Sequence, residues 1–447
     1  MNSTAQIHNR KPFGADKIDG VFWLFIGCLL AGVLYSVTHF ALLGIATAVV
    51  ICAYVFVSPT EECYVFLFGM QFLRAVLPVQ LGSSAFGFIL FAYAVLLFKM
   101  CYRQEKLYGE YLVLACLLVL DVVCSTVGGT LHIGDTFNWV FSCFYLIYIL
   151  KNKAREIDFE KLFLFFLLAQ WAVCLVNIFA ELRIFGRSLV PDMYGVWVDG
   201  YELFSFGKAY SAVAGGNEIA FNNALAIALA VMMFPYVKKV GVRVFYVISI
   251  LFLGYCGFLL IARGFYVELI AFLAIYALSS IKNPRQLITY FCVFCLIGVA
   301  FYFFAYDIIL VTLERVLVRF EGGNSARESL LSQAFELLGG DPAVFLCGAG
   351  SYYPDRFGFT AHNHYVDAVL SLGLFGGLLY FAVIAKTMYQ SFCAHAKISI
   401  RAVLPLLMLL SYKLISGSVR DVGFYYYLGM VVLFAIYLTR RQEHEIA

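Results

Sequence analysis

With 447 residues of which 63% are hydrophobic, 18% aromatic and 13% charged, and a mean hydropathy of +0.88, the chain is excluded from the soluble globular class, whose charged fraction is about 25%. The expected class is an all-α polytopic integral membrane protein, with the lipid bilayer as its first partner. A net charge of +3, scattered over the chain, offers no basic stripe for nucleic acid, so no nucleic-acid partner is expected. Almost all of the 13 cysteines fall in apolar runs or basic loops, where they act as small core residues. Cys347 alone lies in a segment read as external, so no disulfide framework is expected there.

In chain order, the polar segment 1–19 carries Arg10, Lys11 and Lys17 and precedes an apolar run with no small-x-small cleavage site, the pattern of a retained signal-anchor. A crossing helix needs roughly 20 apolar residues. Candidate spans lie at 20–37, 39–58, 62–79, 83–99, 110–129, 135–150, 159–180, 216–236, 244–262, 264–280, 287–306, 363–388, 401–418 and 422–439, about fourteen transmembrane helices in all. They group into an N-terminal bundle (20–180), an external loop (181–215), central helices (216–306), a large external loop (307–362), C-terminal helices (363–439) and an internal tail (440–447). Orientation follows from the basic residues, which concentrate in cytoplasmic loops. Lys99, Arg103 and Lys106, then Lys151, Lys153 and Arg155, Lys238, Lys239 and Arg243, Lys282 and Arg285, Lys386, Lys397 and Arg401, and Arg440 and Arg441 all fall on one side. The exception is the turn from Ser58 to Cys63, which carries Glu61 and Glu62.

The external segments nevertheless hold Arg183, Arg187, Lys208, Arg315, Arg319, Arg327 and Arg356, with Arg263 and Arg420 at helix ends. Basic residues there suit an anionic ligand, although Asp192, Asp199, Glu202, Glu314, Glu321, Glu328 and Asp355 also allow ordinary solvated charges. Arg263 stands between two apolar runs, where a lipid-facing guanidinium costs several kcal/mol, so it is expected to face protein or ligand, with Glu268 as a possible partner. The other intramembrane charges, Arg74, Asp121 and Lys413, are expected to pair or to face cavities. Within the large loop, Arg315 and Arg319 share one face of a short amphipathic helix over 307–320. Ser325 and Glu328 form a capping box opening a second helix to Leu338, stopped by Gly339 and Gly340, with Arg327 in its first turn.

Gly348 and Gly350 then let the backbone turn close to a ligand, beside Tyr352, Tyr353 and Arg356; the tyrosines offer stacking faces for sugar rings, or are interfacial aromatics around a plain turn. His362 and His364 are two apart and point opposite ways on a helix, with no third ligand at metal spacing, so neither a metal site nor a cofactor is expected. An imidazole near its ordinary pKa of ~6.5 is suited to take a hydroxyl proton at neutral pH, unless it is a structural histidine. Asn363, Asp367 and Asn217, the last at the mouth of another helix, are further polar candidates.

Gly348, Gly350, His362, Asn363, Tyr365, Gly373 and Gly376 resemble the signature of the O-antigen ligase/polymerase superfamily, in which a Gly-x-Gly loop leads into His-Asn, an aromatic and a helix with Gly-x-x-Gly. The resemblance covers residues 210–385 and is densest over 327–377. It implies a metal-independent C-type glycosyltransferase fold, with a periplasmic loop containing short amphipathic helices and a site facing the periplasm from the bacterial inner membrane. The substrate would be an undecaprenyl-pyrophosphate-linked oligosaccharide, and a chain-length regulator and a flippase would accompany the enzyme. Arg263, Arg327 and one of Arg315 or Arg319 would hold the pyrophosphate. His362, which matches the position before Asn363, would be the base; His364, Tyr352, Tyr353, Arg356 and Asn217 would contact substrate. Polymerase and ligase share these motifs, and a flippase would also want central charges, although no internal repeat is visible.

Overall fold

The computed structural model describes residues 19–38, 40–71, 88–102, 108–154, 156–182, 216–259, 262–280, 325–394 and 399–446, and every regular element among them is helical. In chain order these are α1 (Gly20–Thr38), α2 (Ala41–Val57), α3 (Thr60–Gln71), α4 (Phe88–Tyr102), α5 (Gly109–Val127), α6 (Ile133–Tyr148), α7 (Phe159–Leu182), α8 (Gly216–Met233), α9 (Val240–Leu259) and α10 (Arg263–Ser280). After a gap come α11 (Ser325–Gly340), α12 (Pro342–Cys347), α13 (Tyr353–Phe357), α14 (His364–Cys393), α15 (Ile400–Lys413) and α16 (Val422–Ile446). Each expected span that is described falls on one of these helices to within a few residues, except that the one expected at 401–418 ends at Lys413, where Leu414 to Ser418 turn out of the helix, and the one expected at 422–439 runs on to Ile446. The span at 287–306, part of those at 62–79 and 83–99, the external loop near 181–215 and the amphipathic helix at 307–320 lie outside the described residues.

Among the described residues, five helices are long and apolar enough to cross a membrane: Gly109–Val127, Glu218–Tyr236, Val240–Gly257, His364–Cys393 and Val422–Arg441. They divide by environment. In α16, 89% of the apolar window is enclosed, against 28% in α9. A helix that is apolar all round belongs in a core. Accordingly α16 buries Phe424 to Leu428 and Met430 to Ile436 against α3, α6, α7, α14 and α15. α8 is the second core helix. Its buried Ala220, Ala224, Ala226, Ala228 and Ala230 let α7, α9, α10 and α15 come close, as small residues do between membrane helices. The other helices turn large apolar side chains outward, among them Val119 and Val123 of α5, Val247 and Leu251 of α9, Ile270 and Leu278 of α10, and Phe375 and Leu378 of α14. Such patches are unsustainable in water but suit a helical membrane protein.

The two ends of the bundle differ. At one end Lys161 meets Asp19 (2.5 Å), Lys151 and Lys386 meet the buried Glu110 (2.7 and 3.0 Å), and Arg441 meets Glu160. A single π turn, Ile149–Lys153, carries α6 past its expected end at 150 and delivers Lys151 to that pair. Lys99 of α4 donates to the carbonyls of Val55 (2.9 Å) and Ser58 at the end of α2, where helical carbonyls need partners.

Two expectations about the opposite end are corrected. The helix over 325–338 runs through both glycines to Gly340 and is ended instead by Asp341, whose carboxylate caps α12 through the amides of Ala343 (2.9 Å) and Val344 (3.2 Å). Residue 341 precedes Pro342, and a residue before proline disfavours the helical region. The apolar run expected at 363–388 is not one straight helix: α14 spans 364–393 and breaks at Gly373 (φ 71°, ψ 175°). The part after the break, 374–393, is about 30 Å long and is sufficient to cross by itself, which leaves His364 to Leu372 as a separate piece at the mouth.

Candidate functional site

The site is assembled where helix ends meet. Phe221 of α8 stacks on Tyr412 of α15 (4.0 Å, 8°), and a Cβ on Gly264 of α10 would lie 3.5 Å from the same ring. Just beyond, Asn363 Nδ2 donates to the Leu414 carbonyl (2.9 Å), and Lys413 pairs with Asp421 ahead of α16. The N-termini of α8, α10, α14 and α16 therefore gather around the C-terminal end of α15. Each brings the positive end of a helix dipole. Arg263 is the first residue of α10, Arg327 lies in the first turn of α11, and Arg420 stands two residues before α16. A cation is disfavoured there by the dipole unless an anion is present, and Glu218, Asp367 and Asp421 stand in or just before the first turns of α8, α14 and α16.

Beside this junction lies the glycine loop. Its Ala349 and Gly350 amides donate to the carbonyls of Leu370 and Ser371 (2.8 and 3.0 Å). In an unbroken helix those carbonyls would accept from residues 374 and 375; the break at Gly373 releases them to the loop. Contact is close on both sides. A Cβ at Gly373 would sit 2.3 Å from the Leu346 carbonyl oxygen, and one at Gly350 (φ 85°) 2.2 Å from Ser125 Oγ, so only glycine meets both the space and the backbone conformation.

The next residue anchors the loop to α5. Asp121, fully buried, accepts from the Ser351 amide (2.6 Å), Ser351 Oγ (2.9 Å), Ser125 Oγ (3.3 Å) and Trp139 Nε1 (3.0 Å). The sequence marked Asp121 only as an intramembrane charge in need of partners. A second buried carboxylate, Asp367, accepts from the Tyr353 hydroxyl (2.8 Å), the Val419 amide (2.8 Å) and, more weakly, Ser371 Oγ (3.5 Å). The Tyr353 hydroxyl in turn accepts from the Ala361 amide (3.0 Å), and burial, together with the Asp367 charge, pushes its phenol above the ordinary tyrosine pKa. Tyr353, expected as a stacking face for sugar, is instead enclosed, and it ties α13 to α14.

The two histidines separate sharply. His364 is fully buried, with Nδ1 donating to the Ser418 carbonyl (2.9 Å) and Nε2 3.0 Å from the Tyr380 hydroxyl. That hydroxyl meets Tyr425 (3.0 Å), which donates to the Val419 carbonyl (3.0 Å). His364 therefore holds the loop before α16 rather than facing a ligand. His362 is exposed and left-handed, with φ 49°, among the described residues the one non-glycine with positive φ. Such a conformation costs roughly 1–2 kcal/mol and is worth a functional hypothesis. Asn363 between them caps α14 through the Tyr365 and Val366 amides (3.0 and 3.1 Å), and the cap turns His362 outward.

Tyr352 is committed to protein partners. His132, from the α5–α6 turn, stacks on its ring (4.1 Å, 22°) and bonds Asp355 through Nε2 (2.9 Å), while the Arg420 guanidinium carbon lies 4.3 Å from the ring centre. Sequence reasoning missed His132; its only signal was a place at a helix end. Arg356 is exposed, with its guanidinium over Phe357 (4.9 Å). Glu268 accepts from Ser411 Oγ (3.0 Å), and the side chain of its expected partner Arg263 lies outside the described residues, as do those of Arg327 and Asn217 and the whole of Arg315 and Arg319.

Cys124 Sγ lies 3.4 Å from the Cys347 carbonyl oxygen across 223 residues of chain, and both thiols are free. Copper-phenanthroline oxidation of membranes should therefore yield a disulfide-linked 124–347 peptide pair by mass spectrometry. Two separately alkylated peptides would contradict this placement. Comparison of the chain with protein-family models, curated proteins and solved structures gives no match.

Proposed function

We propose that the chain is a polysaccharide polymerase of the inner membrane, a metal-independent C-type glycosyltransferase with about fourteen spans that joins undecaprenyl-pyrophosphate-linked repeat units into O-antigen or a related surface glycan. The observation that carries this is the exposed, left-handed His362 beside a junction of four helix N-termini. In the proposed reaction the donor's diphosphate lies at those N-termini with Arg263 and Arg327, and with Arg315 or Arg319 from the adjoining loop. His362 takes the proton of the acceptor hydroxyl, the hydroxyl oxygen bonds to the donor's anomeric carbon, and the bond from that carbon to the diphosphate oxygen breaks. The lipid diphosphate leaves with its charge on the guanidinium groups and helix dipoles.

The test is direct. Purified protein given lipid-linked repeat units in detergent should produce a ladder of longer glycans. Product only on addition of lipid A-core would favour a ligase, and no bond formation would favour a flippase or transporter. Orientation has its own test, because Cys347 and Cys393 are exposed at opposite ends of the bundle. A membrane-impermeant maleimide applied from the periplasmic side should label Cys347 and spare Cys393. The reverse pattern would put the site on the nucleotide-sugar side and end the proposal.

A further inference from the structure

The cluster of Tyr352, His132, Asp355 and Arg420 takes no part in the chemistry above. Arg420 is half-buried, stacked on Tyr352, and among the described residues has neither an ion pair nor a hydrogen bond. The acids around it take their hydrogen bonds from other groups, Asp421 from Lys413, Asp367 from Tyr353 and the Val419 amide, Asp355 from His132, and Arg420 acts on the buried Asp367 only through its charge. Its five N–H donors remain available. Its position is also prepared. The backbone just before it is held three times, by His364 at the Ser418 carbonyl, by Asp367 at the Val419 amide and by Tyr425 at the Val419 carbonyl. An arginine held by its face with its edge free presents the planar fork that fits a carboxylate or phosphate bidentately.

The surroundings choose between these anions. His132 and Asp355 are 49% and 51% exposed, so the cluster faces water. The Asp355 carboxylate repels a multiply charged diphosphate, yet it accepts hydrogen bonds from sugar hydroxyls. We propose that this cluster is a subsite for an acidic sugar of the glycan, with the sugar carboxylate on Arg420 and a ring hydroxyl on Asp355. The inference rests on the glycosyltransferase function proposed above and adds a substrate class to it: the repeat unit carries a carboxylate-bearing sugar.

Binding can be measured without turnover. The full chain in phosphatidylcholine nanodiscs would be studied by saturation-transfer NMR with glucuronate or glucose as probe, and with inorganic pyrophosphate as competitor. Glucuronate should receive at least fivefold more saturation than glucose. Arg420→Gln should remove that difference, Arg420→Lys, which keeps charge and bulk, should reduce it severalfold, and Lys238→Gln at the far end should leave it unchanged. Melting temperatures of the variants separate lost binding from lost fold, and the lysine variant keeps the test open if the glutamine variant is unstable. Equal signals from glucose and glucuronate, or wild-type binding in a folded Arg420→Lys, would overturn the subsite. Displacement of glucuronate by a tenfold lower concentration of pyrophosphate would also overturn it, assigning Arg420 to the lipid diphosphate. Absence of a glycan ladder alongside intact glucuronate binding through Arg420 would instead fault the polymerase proposal and leave the subsite standing.

Discussion

Replacing His362 by alanine should lower polymer formation by about 10²–10⁴ at unchanged protein level and melting temperature, the range typical for loss of a general base. The side chain is exposed and its residue forms no part of the helix it precedes, so truncation removes little packing. His364→Ala should behave in the opposite way. Its ring is fully buried between the Ser418 carbonyl and the Tyr380 hydroxyl, and it packs 4.3 Å from Phe424. Removing it costs the Ser418 carbonyl and the Tyr380 hydroxyl one hydrogen bond each, leaving them the Asp421 amide and the Tyr425 hydroxyl, and opens a cavity, at a cost of about 2–4 kcal/mol. Polymer should then fall in step with folded protein. The decisive comparison is polymer per unit of folded protein for the two variants. Near-normal polymer from folded His362→Ala would remove it as the base; a shared loss of protein would make both histidines structural.

The second large effect is expected at Asp121. Its four donors come from three parts of the chain, α5 itself, α6 through Trp139, and the glycine loop through both polar atoms of Ser351, 230 residues away. Asp121→Ala would strand the Ser351 amide and the Trp139 N–H in an enclosed site at about 1–3 kcal/mol each, so about 2–6 kcal/mol in total and a large drop in melting temperature. Asp121→Asn keeps the shape and one acceptor oxygen and should cost about half as much. Gly350→Ala attacks the same contact from the loop side, because its Cβ would fall 2.2 Å from Ser125 Oγ. It should lose polymer with a smaller fall in stability, since the loop can lift away from α5. Asp121→Ala protein with wild-type melting and a full glycan ladder would mean that the carboxylate does not hold the loop.

These contrasts mark how much was legible beforehand. Hydropathy along the chain located α5, α8, α9, α14 and α16, because the length and polarity a helix needs to cross a bilayer are local properties. Basic residues likewise marked the end where Lys151, Lys386 and Arg441 gather. Local chemistry also marked Asn363, whose side chain caps its own helix within three residues. His362 and His364, by contrast, read almost alike in sequence, and the structure gives them opposite environments. One ring is turned out by a left-handed residue before the cap, and the other is enclosed by α16 and its preceding loop, which lie more than fifty residues on.

The sequence by itself determined the class of protein, most helix positions, the glycine loop and the neighbourhood of the candidate base, since each depends on residues within a turn or two of one another. Tertiary structure alone decided that Asp121 would hold Ser351, that His132 would meet Asp355 and that Cys124 would approach Cys347. It also decided that an apolar helix would break at Gly373 to accept a loop. Those pairings depend on which helix faces pack together, and a polar group is satisfied by whatever partner packing brings within about 3 Å, not by its neighbours in the chain.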